Sequence, residues 1–245
     1  MLHGIAASSG VGVGNALIIF QEQMAIPQEK VNDTNREKYR FLEASSVFVD
    51  EIRHASNAIR IKAGDDEADI LRTQIEMIRD PEFNGELTSV IEERGVNLEY
   101  AFSLVCNKYI KLFSLIEDEF LRARTADFID FREHMLSILL RVQKVDLSIV
   151  PSGTVLVASD ISPSCAASIE KDNVMGIVTE TGTINSHIAI IARAMGLPII
   201  VAVKGLLDTV RDGDTLLVNA DTGQIVRNQE PKKLRRHQSY YSVVH

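Results

Sequence analysis

The sequence predicts two fold classes in one chain, α/β and all-α, with a four-helix bundle inserted into a discontinuous α/β domain. Short runs of small and β-branched residues fill the first 20 positions, and apolar residues then recur at helical spacing as far as residue 142. β-Branched runs return after residue 146. We therefore expect residues 1–32 and 143–228 to form the α/β domain, 33–142 the helical subdomain, and 229–245 a linker or tail.

The first segment has three glycines at alternate positions, Gly10, Gly12 and Gly14, followed by the apolar run 16–20. A dinucleotide-binding loop needs its third glycine at a different spacing and a helix behind it. Neither is present, so the segment predicts a turn and a twisted strand.

Four stripes of apolar residues predict four amphipathic helices, each burying one face in an antiparallel bundle. The second stripe lies within 71–78 and is ended by Asp80-Pro81, the third spans 98–116 and the fourth 128–142. The first stripe consists of Tyr39, Leu42, Ser46, Val49, Ile52, Ser56 and Ile59.

Five β-branched runs predict strands in the second part of the α/β domain, at 154–157, 174–178, 199–203, 215–218 and 224–227. Turn residues separate them, and short helical pieces lie between the first three. This alternation is typical of an α/β layer.

The chain has 245 residues, and its formal net charge of −8 argues against a nucleic-acid partner. Residues 65–99 carry eleven acidic residues against three arginines; they form either a solvated helix face or a docking surface for a basic partner. No apolar run approaches the about 18 residues of a membrane span, and no signal peptide is recognisable, so we expect a cytoplasmic protein without membrane contact. The six histidines are scattered, so we expect no metal site.

The run from Thr179 to Pro198 says most about function. His187 follows a loop rich in Gly, Thr, Asn and Ser, and it begins a short apolar helix that should stop at Gly196. The first turn of a helix favours an anion, which suits a phosphoryl group carried on the imidazole. A solvated surface histidine is the alternative.

Residues 182–193 resemble the phosphohistidine signature of phosphoenolpyruvate-utilising enzymes. Thr183 replaces a usual glycine of that signature and Ile188 a usual small residue. The fitting positions are Gly182, Asn185, His187, Ala189, Ile190, Ile191, Ala192 and Arg193.

The opening 4–16 resembles that of enzyme I of the bacterial sugar phosphotransferase system, whose members also carry a helical insertion ahead of the histidine signature. The resemblance covers about residues 1–228 and implies that His187 is catalytic, taking a phosphoryl group from phosphoenolpyruvate. It implies transfer from there to the histidine-containing phosphocarrier protein. In this family phosphoenolpyruvate and Mg²⁺ bind a C-terminal barrel, before which this chain ends, so we expect no cofactor within the chain.

A phosphoryl-accepting histidine needs one unprotonated nitrogen and a hydrogen-bond acceptor that fixes the other. Ser162, Ser164 and the loop at Thr179 could supply that acceptor, although the serines could equally cap a helix. Asn185 and Ser186 could donate to phosphoryl oxygens or cap their own helix.

Two arginines complete the predicted site. Arg193 lies nearly two helical turns beyond the histidine, which favours a structural or domain-contact role. Arg124 resembles an enzyme I arginine that precedes two aspartates, and it is either a phosphate-side residue or part of an ion network with Asp127 and Asp130.

The resemblance also implies partner docking on the helical subdomain, where Gln74 replaces a usual histidine. Acidic and apolar residues there would suit a partner with a basic rim. The predicted docking residues are Glu67, Asp69, Leu71, Gln74, Ile75, Met77 and Ile78.

Two other functions stay open. The chain could be the swivelling phosphohistidine domain of a pyruvate phosphate dikinase or phosphoenolpyruvate synthase, which share the histidine signature but not this opening. It could also be a regulatory interaction module with an unreactive histidine, an alternative supported by Thr183, Ile188 and Gln74.

Overall fold

The computed structural model describes residues 1–19, 24–142 and 145–227, without the side chains of 119–123. The described residues divide into two compact units: one from 1–19, 59–67 and 145–227, the other from 24–58 and 68–142. Residues 24–32 thus group with the helices and 59–67 with the α/β unit, whereas the predicted boundaries between the two parts lay at residues 32 and 142. The predicted tail, 229–245, lies outside the described residues.

The first unit is built on an eight-stranded sheet. Its strands are β1 (Leu2–His3), β2 (Ile5–Ala6), β3 (Val11–Ile19), β4 (Thr154–Ala158), β5 (Val174–Thr179), β6 (Ile199–Val201), β7 (Thr215–Asn219) and β8 (Gln224–Arg227). They lie in the order β1-β8-β7-β3-β4-β5-β6-β2. Strands β3 to β6 run parallel, and the remaining pairs are antiparallel.

The sheet closes on itself through Gly4. Strands β1 and β2 lie at opposite ends of the strand order, yet only Gly4 separates them in the chain. A Cβ atom at this position would lie 2.5 Å from a Val203 methyl group and 2.6 Å from the Val201 carbonyl oxygen. Only glycine therefore fits where the chain passes from one edge to the other.

In the described part of this unit three short α-helices accompany the sheet: α6 (Pro163–Ala166), α7 (His187–Ala194) and α8 (Leu206–Thr209). Helix α7 is the short apolar helix that its sequence predicts, and it buries Ile188, Ala189, Ile191 and Ala192. It ends where Gly196 takes a left-handed φ of 70°, as the Gly-x-Pro signal predicts.

The helical region contains α1 (Thr34–Lys62), α2 (Asp65–Arg79), α3 (Pro81–Arg94), α4 (Leu98–Ser114) and α5 (Glu119–Leu139). The predicted fold class, α/β with a helical insertion, is confirmed, but the insertion has five helices rather than four.

Helix α3 is the one that is absent from the predicted helices. Asp80-Pro81 predicts the end of α2, but it also starts α3, because the Asp80 carboxylate accepts the Phe83 N–H at 2.8 Å and Pro81 occupies the first turn. Gly95 ends the helix with a left-handed φ of 56°. Residues Phe83, Leu87 and Ile91 are buried.

The first half of α1 buries a different face from the predicted one. Tyr39 and Leu42 are 70% and 63% exposed, whereas Phe41 and Phe48 are buried. Phe48 packs edge-to-face on Phe131 with ring centroids 5.4 Å apart. The aromatic contacts therefore set the rotation of this half of the helix. No helix among the described residues is long and apolar enough to cross a membrane.

Candidate functional site

His187 is the first residue of α7, and it is partly buried. Helix α7 follows β5, and the loop between them lies at the carboxyl ends of β4 and β5, which are parallel neighbours. The first N–H groups of a helix have no partner within the helix and carry a partial positive charge. The histidine therefore lies where a negatively charged group is favoured.

The loop before the histidine is fixed by hydrogen bonds to the loop that follows β4. Thr179 is fully buried, and its hydroxyl donates to the Thr181 carbonyl at 2.7 Å. Thr181 in turn donates twice to the Ser159 carbonyl, from its N–H at 3.0 Å and its hydroxyl at 2.9 Å. Gly182 has a φ of 103°, which explains the glycine at this point of the signature.

Asn185 and Ser186 support the turn into α7 without capping it through their side chains. The Ser186 hydroxyl donates to the Thr183 carbonyl at 2.9 Å, and the Asn185 N–H donates to the Thr183 hydroxyl at 3.2 Å. The Asn185 residue is exposed. Contacts from these two residues to a phosphoryl group stay predictions.

Arg193 anchors the site loop from the other end of α7. One guanidinium nitrogen donates to the Ala7 carbonyl at 2.9 Å and to the Ile184 carbonyl at 3.4 Å. This agrees with the structural role that its distance from His187 predicts.

Ser162 and Ser164 lie in the loop and first turn of α6. The Ser162 hydroxyl accepts the Cys165 N–H at 3.3 Å, so Ser162 caps the helix, and the two hydroxyl groups are 3.1 Å apart. The capping alternative is therefore observed for Ser162.

Lys62 binds the chain just beyond α6. Its ammonium group donates to the Ala167 carbonyl at 3.1 Å and the Ile169 carbonyl at 2.9 Å, and it pairs with Glu170 at 2.9 Å. Carbonyl groups at a helix C-terminus favour such a cation.

Asp160 is a charged residue of this site that is not among the predicted site residues. Desolvation raises the pKa of its carboxyl group, although the residue keeps an exposed surface. A hydrogen bond from the Ile161 N–H and the nearby charge of His187 act on this pKa in the opposite direction. The electrostatic effect of His187 indicates that the two side chains lie within range of one another.

In the other unit, the Arg124 guanidinium pairs with the Asp127 carboxylate at 3.0 Å. The Asp127 side chain is only 11% exposed, so the pair is better shielded from water than a typical surface pair. This ion pair is one of the two alternatives for Arg124; a contact with phosphate stays a prediction.

Three of the seven predicted docking residues on α2 are core residues. Leu71, Gln74 and Ile78 are 0%, 3% and 3% exposed, so their assignment to a docking surface was wrong. They recur on the buried face of α2. The remaining four, Glu67, Asp69, Ile75 and Met77, are exposed or partly exposed.

No group of three or more His, Cys, Asp or Glu side chains is arranged to hold a metal ion within the described ranges.

Two family models match the chain. Residues 3–124 match the model described as PEP-utilising enzyme, N-terminal, and residues 150–223 match PEP-utilising enzyme, mobile domain. His187 lies within the second match.

Curated relatives named phosphoenolpyruvate-protein phosphotransferase match nearly the whole chain. The protein from Staphylococcus carnosus is 30% identical over 97% of this chain and 41% of its own length. That from Enterococcus faecalis is 32% identical over 92% of this chain and 40% of its own length. The chain thus spans about two fifths of the length of these relatives.

A solution structure of an Enzyme I protein superimposes with a TM-score of 0.82 at 28% identity, covering 99% of both chains. The N-terminal domain of a nitrogen-type Enzyme 1 has the same fold, with a TM-score of 0.60 at 22% identity over 99% of this chain and 100% of its own.

Proposed function

We propose that this chain relays a phosphoryl group through His187. The chain belongs to the phosphoenolpyruvate-utilising enzymes and carries their N-terminal and mobile domains. The observation that supports this proposal most is the position of the histidine. It begins α7 at the carboxyl edge of the parallel strands, on a loop that hydrogen bonds hold in place. Phosphoryl transfer depends mainly on such positioning and on charge stabilisation.

The phosphoryl donor is phosphoenolpyruvate, and the acceptor is the histidine-containing phosphocarrier protein of the sugar phosphotransferase system. The names of the relatives support this assignment. Because the chain spans about two fifths of their length, we place the phosphoenolpyruvate site and its Mg²⁺ on a C-terminal barrel domain outside this chain. The cytoplasm is the compartment that this role requires.

Each transfer is a displacement at phosphorus. A lone pair of one His187 ring nitrogen forms the N–P bond, while the bond from phosphorus to the donor oxygen breaks and that oxygen keeps the electron pair. In the second transfer, a nitrogen of the carrier histidine forms the new N–P bond and His187 recovers its lone pair. Unpaired N–H groups at the start of α7 stabilise the phosphoryl oxygens.

Labelling with a phosphorylated carrier protein tests the proposal, because the transfer is reversible in principle. We expect incorporation of one acid-labile, base-stable phosphate into the full chain and its loss in His187→Ala. The matched control is His54→Ala, which removes an exposed histidine of the helical unit and should leave labelling unchanged.

Label that survives His187→Ala, or binding of the carrier protein without transfer, would contradict the relay. Labelling by ATP in the presence of a separate nucleotide-binding domain, with none from the carrier protein, would indicate a dikinase or synthase instead.

A further inference from the structure

Asp160 and His187 belong to two loops that leave the same edge of the sheet. Strands β4 and β5 are adjacent and parallel, and the loop of Asp160 follows β4. The Glu180 N–H donates to the Ala158 carbonyl at 3.0 Å, just before this loop, and Thr181 donates to Ser159, one residue before Asp160. The hydrogen bonds therefore fix the two loops against each other.

The hydroxyl groups of Ser162, Ser164, Thr179 and Ser186 form hydrogen bonds within their own loops. Ser162 caps α6 and pairs with Ser164, while Thr179 and Ser186 donate to backbone carbonyls of the site loop. The two loops carry two carboxylates: Glu180 accepts the Leu207 N–H at 3.4 Å through Oε1, whereas the charge of His187 acts on the carboxyl group of Asp160.

The Asp160 carboxylate retains acceptor capacity. Its Oδ1 atom accepts the Ile161 N–H at 2.8 Å, and among the described residues Oδ2 has no hydrogen bond. His187 lowers the energy of the ionised carboxylate through its charge. By reciprocity the carboxylate favours the positively charged form of the imidazole to the same extent.

The proposed reaction creates such a charge. When one ring nitrogen attacks phosphorus and the other keeps its proton, the imidazole becomes a phosphorylated cation. A carboxylate near the ring stabilises that cation and favours the tautomer whose reactive nitrogen is unprotonated, as in other histidine–carboxylate pairs.

We propose that Asp160 is a positioning residue for His187, keeping the proton on the non-reacting ring nitrogen and stabilising the ring charge that forms with the N–P bond. This inference rests on the proposed relay and adds to it a residue that acts through the histidine. The reacting phosphorus is not its target, since a carboxylate would repel the phosphoryl oxygens.

The test combines kinetics with a spectroscopic measurement on the full chain. Single-turnover phosphorylation by the phosphorylated carrier protein should be about 10- to 100-fold slower in Asp160→Asn, the scale on which partners of a working histidine act. Nitrogen-15 NMR of the His187 side chain should show one dominant neutral tautomer in the wild type and a mixture in the variant.

Asp172→Asn is the matched control. Asp172 is exposed and precedes β5, so it lies at the opposite end of that strand from the loop of His187. This variant should keep the wild-type rate and tautomer. If Asp160→Asn fails to fold by circular dichroism, Asp160→Ser replaces it with the same expected results.

A folded Asp160 variant with the wild-type rate or the wild-type tautomer ratio would overturn the inference. Failure of the relay itself is separable, because it would appear as absent labelling of the wild-type protein. The tautomer measurement needs no phosphoryl donor and still tests the action of Asp160 on the ring.

Discussion

The Gly4 N–H donates to the Gly223 carbonyl at 2.9 Å, and this backbone contact extends the pairing of β1 with β8 to the residue that connects β1 to β2. Gly223 has a φ of 71°, and a Cβ atom there would lie 2.5 Å from the Gly4 carbonyl oxygen. The Gly4 oxygen is a backbone atom and not the end of a flexible side chain, so a substitution at Gly223 must displace the backbone.

We therefore expect Gly223→Ala to lower the free energy of unfolding by about 2–4 kcal/mol, from strain in φ and from the backbone clash. Urea denaturation measures the change. Gly213→Ala is the matched control, because Gly213 has a φ of 81° but no atom within 4 Å of its Cβ position. Equal losses in the two variants would show that the clash contributes nothing.

Gln74→Met should stabilise the helical unit. Gln74 is 3% exposed and its Oε1 atom has no hydrogen-bond partner among the described residues. Replacing a buried unsatisfied amide by an apolar side chain of similar shape is expected to add about 1 kcal/mol to the free energy of unfolding. Thermal and urea denaturation give the measurement.

For comparison, Gln28→Met changes the same side chain at an exposed position and should leave stability nearly unchanged. A loss of stability in Gln74→Met would mean that the amide makes a favourable contribution.

Lys62→Met should destabilise the α/β unit by about 1–3 kcal/mol, because two backbone carbonyls beyond α6 and the Glu170 carboxylate lose their charged donor. Lys108→Met removes an ammonium group that pairs with Glu86 at an exposed site and should have a much smaller effect. A Lys62 variant no less stable than the Lys108 variant would contradict the expectation.

The pH dependence of stability should change in Asp160→Asn. Desolvation raises the pKa of Asp160 in the folded protein, so the folded state binds this proton more tightly than the unfolded chain. Its contribution to stability therefore decreases as the pH rises through the range where the carboxyl group ionises.

At pH 7 we expect Asp160→Asn to have a higher free energy of unfolding than the wild type, with the difference shrinking toward acidic pH. Urea denaturation at several pH values measures this. An asparagine variant less stable than the wild type at pH 7 would show that the ionised carboxylate stabilises the fold.

The parts that the sequence predicted well depend on local signals. The end of α7 at Gly196, the strand positions and the placement of His187 follow from turn residues and periodicity within about ten residues of each feature. Asp160 could not be identified in this way, because its relation to His187 depends on the pairing of β4 with β5 and on the hydrogen bonds between their loops.

The errors in the helical unit have specific causes. Asp80-Pro81 carries both a stop and a start signal, so the end of α2 conceals the beginning of α3 in the sequence. Apolar spacing alone could not place Phe48 inside and Leu42 outside, because both are large apolar residues and a ring contact with Phe131 decides between them. Gln74 is polar by composition, and nothing local indicates its burial.

The pairing of β1 with β8 also constrains the order in which the protein acquires structure. Leu2 pairs with Ile225, so Leu2 gains its sheet partner only after some 220 further residues have been made. Helices α2 to α5 need only neighbours within a much shorter stretch of chain. During synthesis we therefore expect the helical region to become ordered before the sheet is completed by the pairing of β1 with β8.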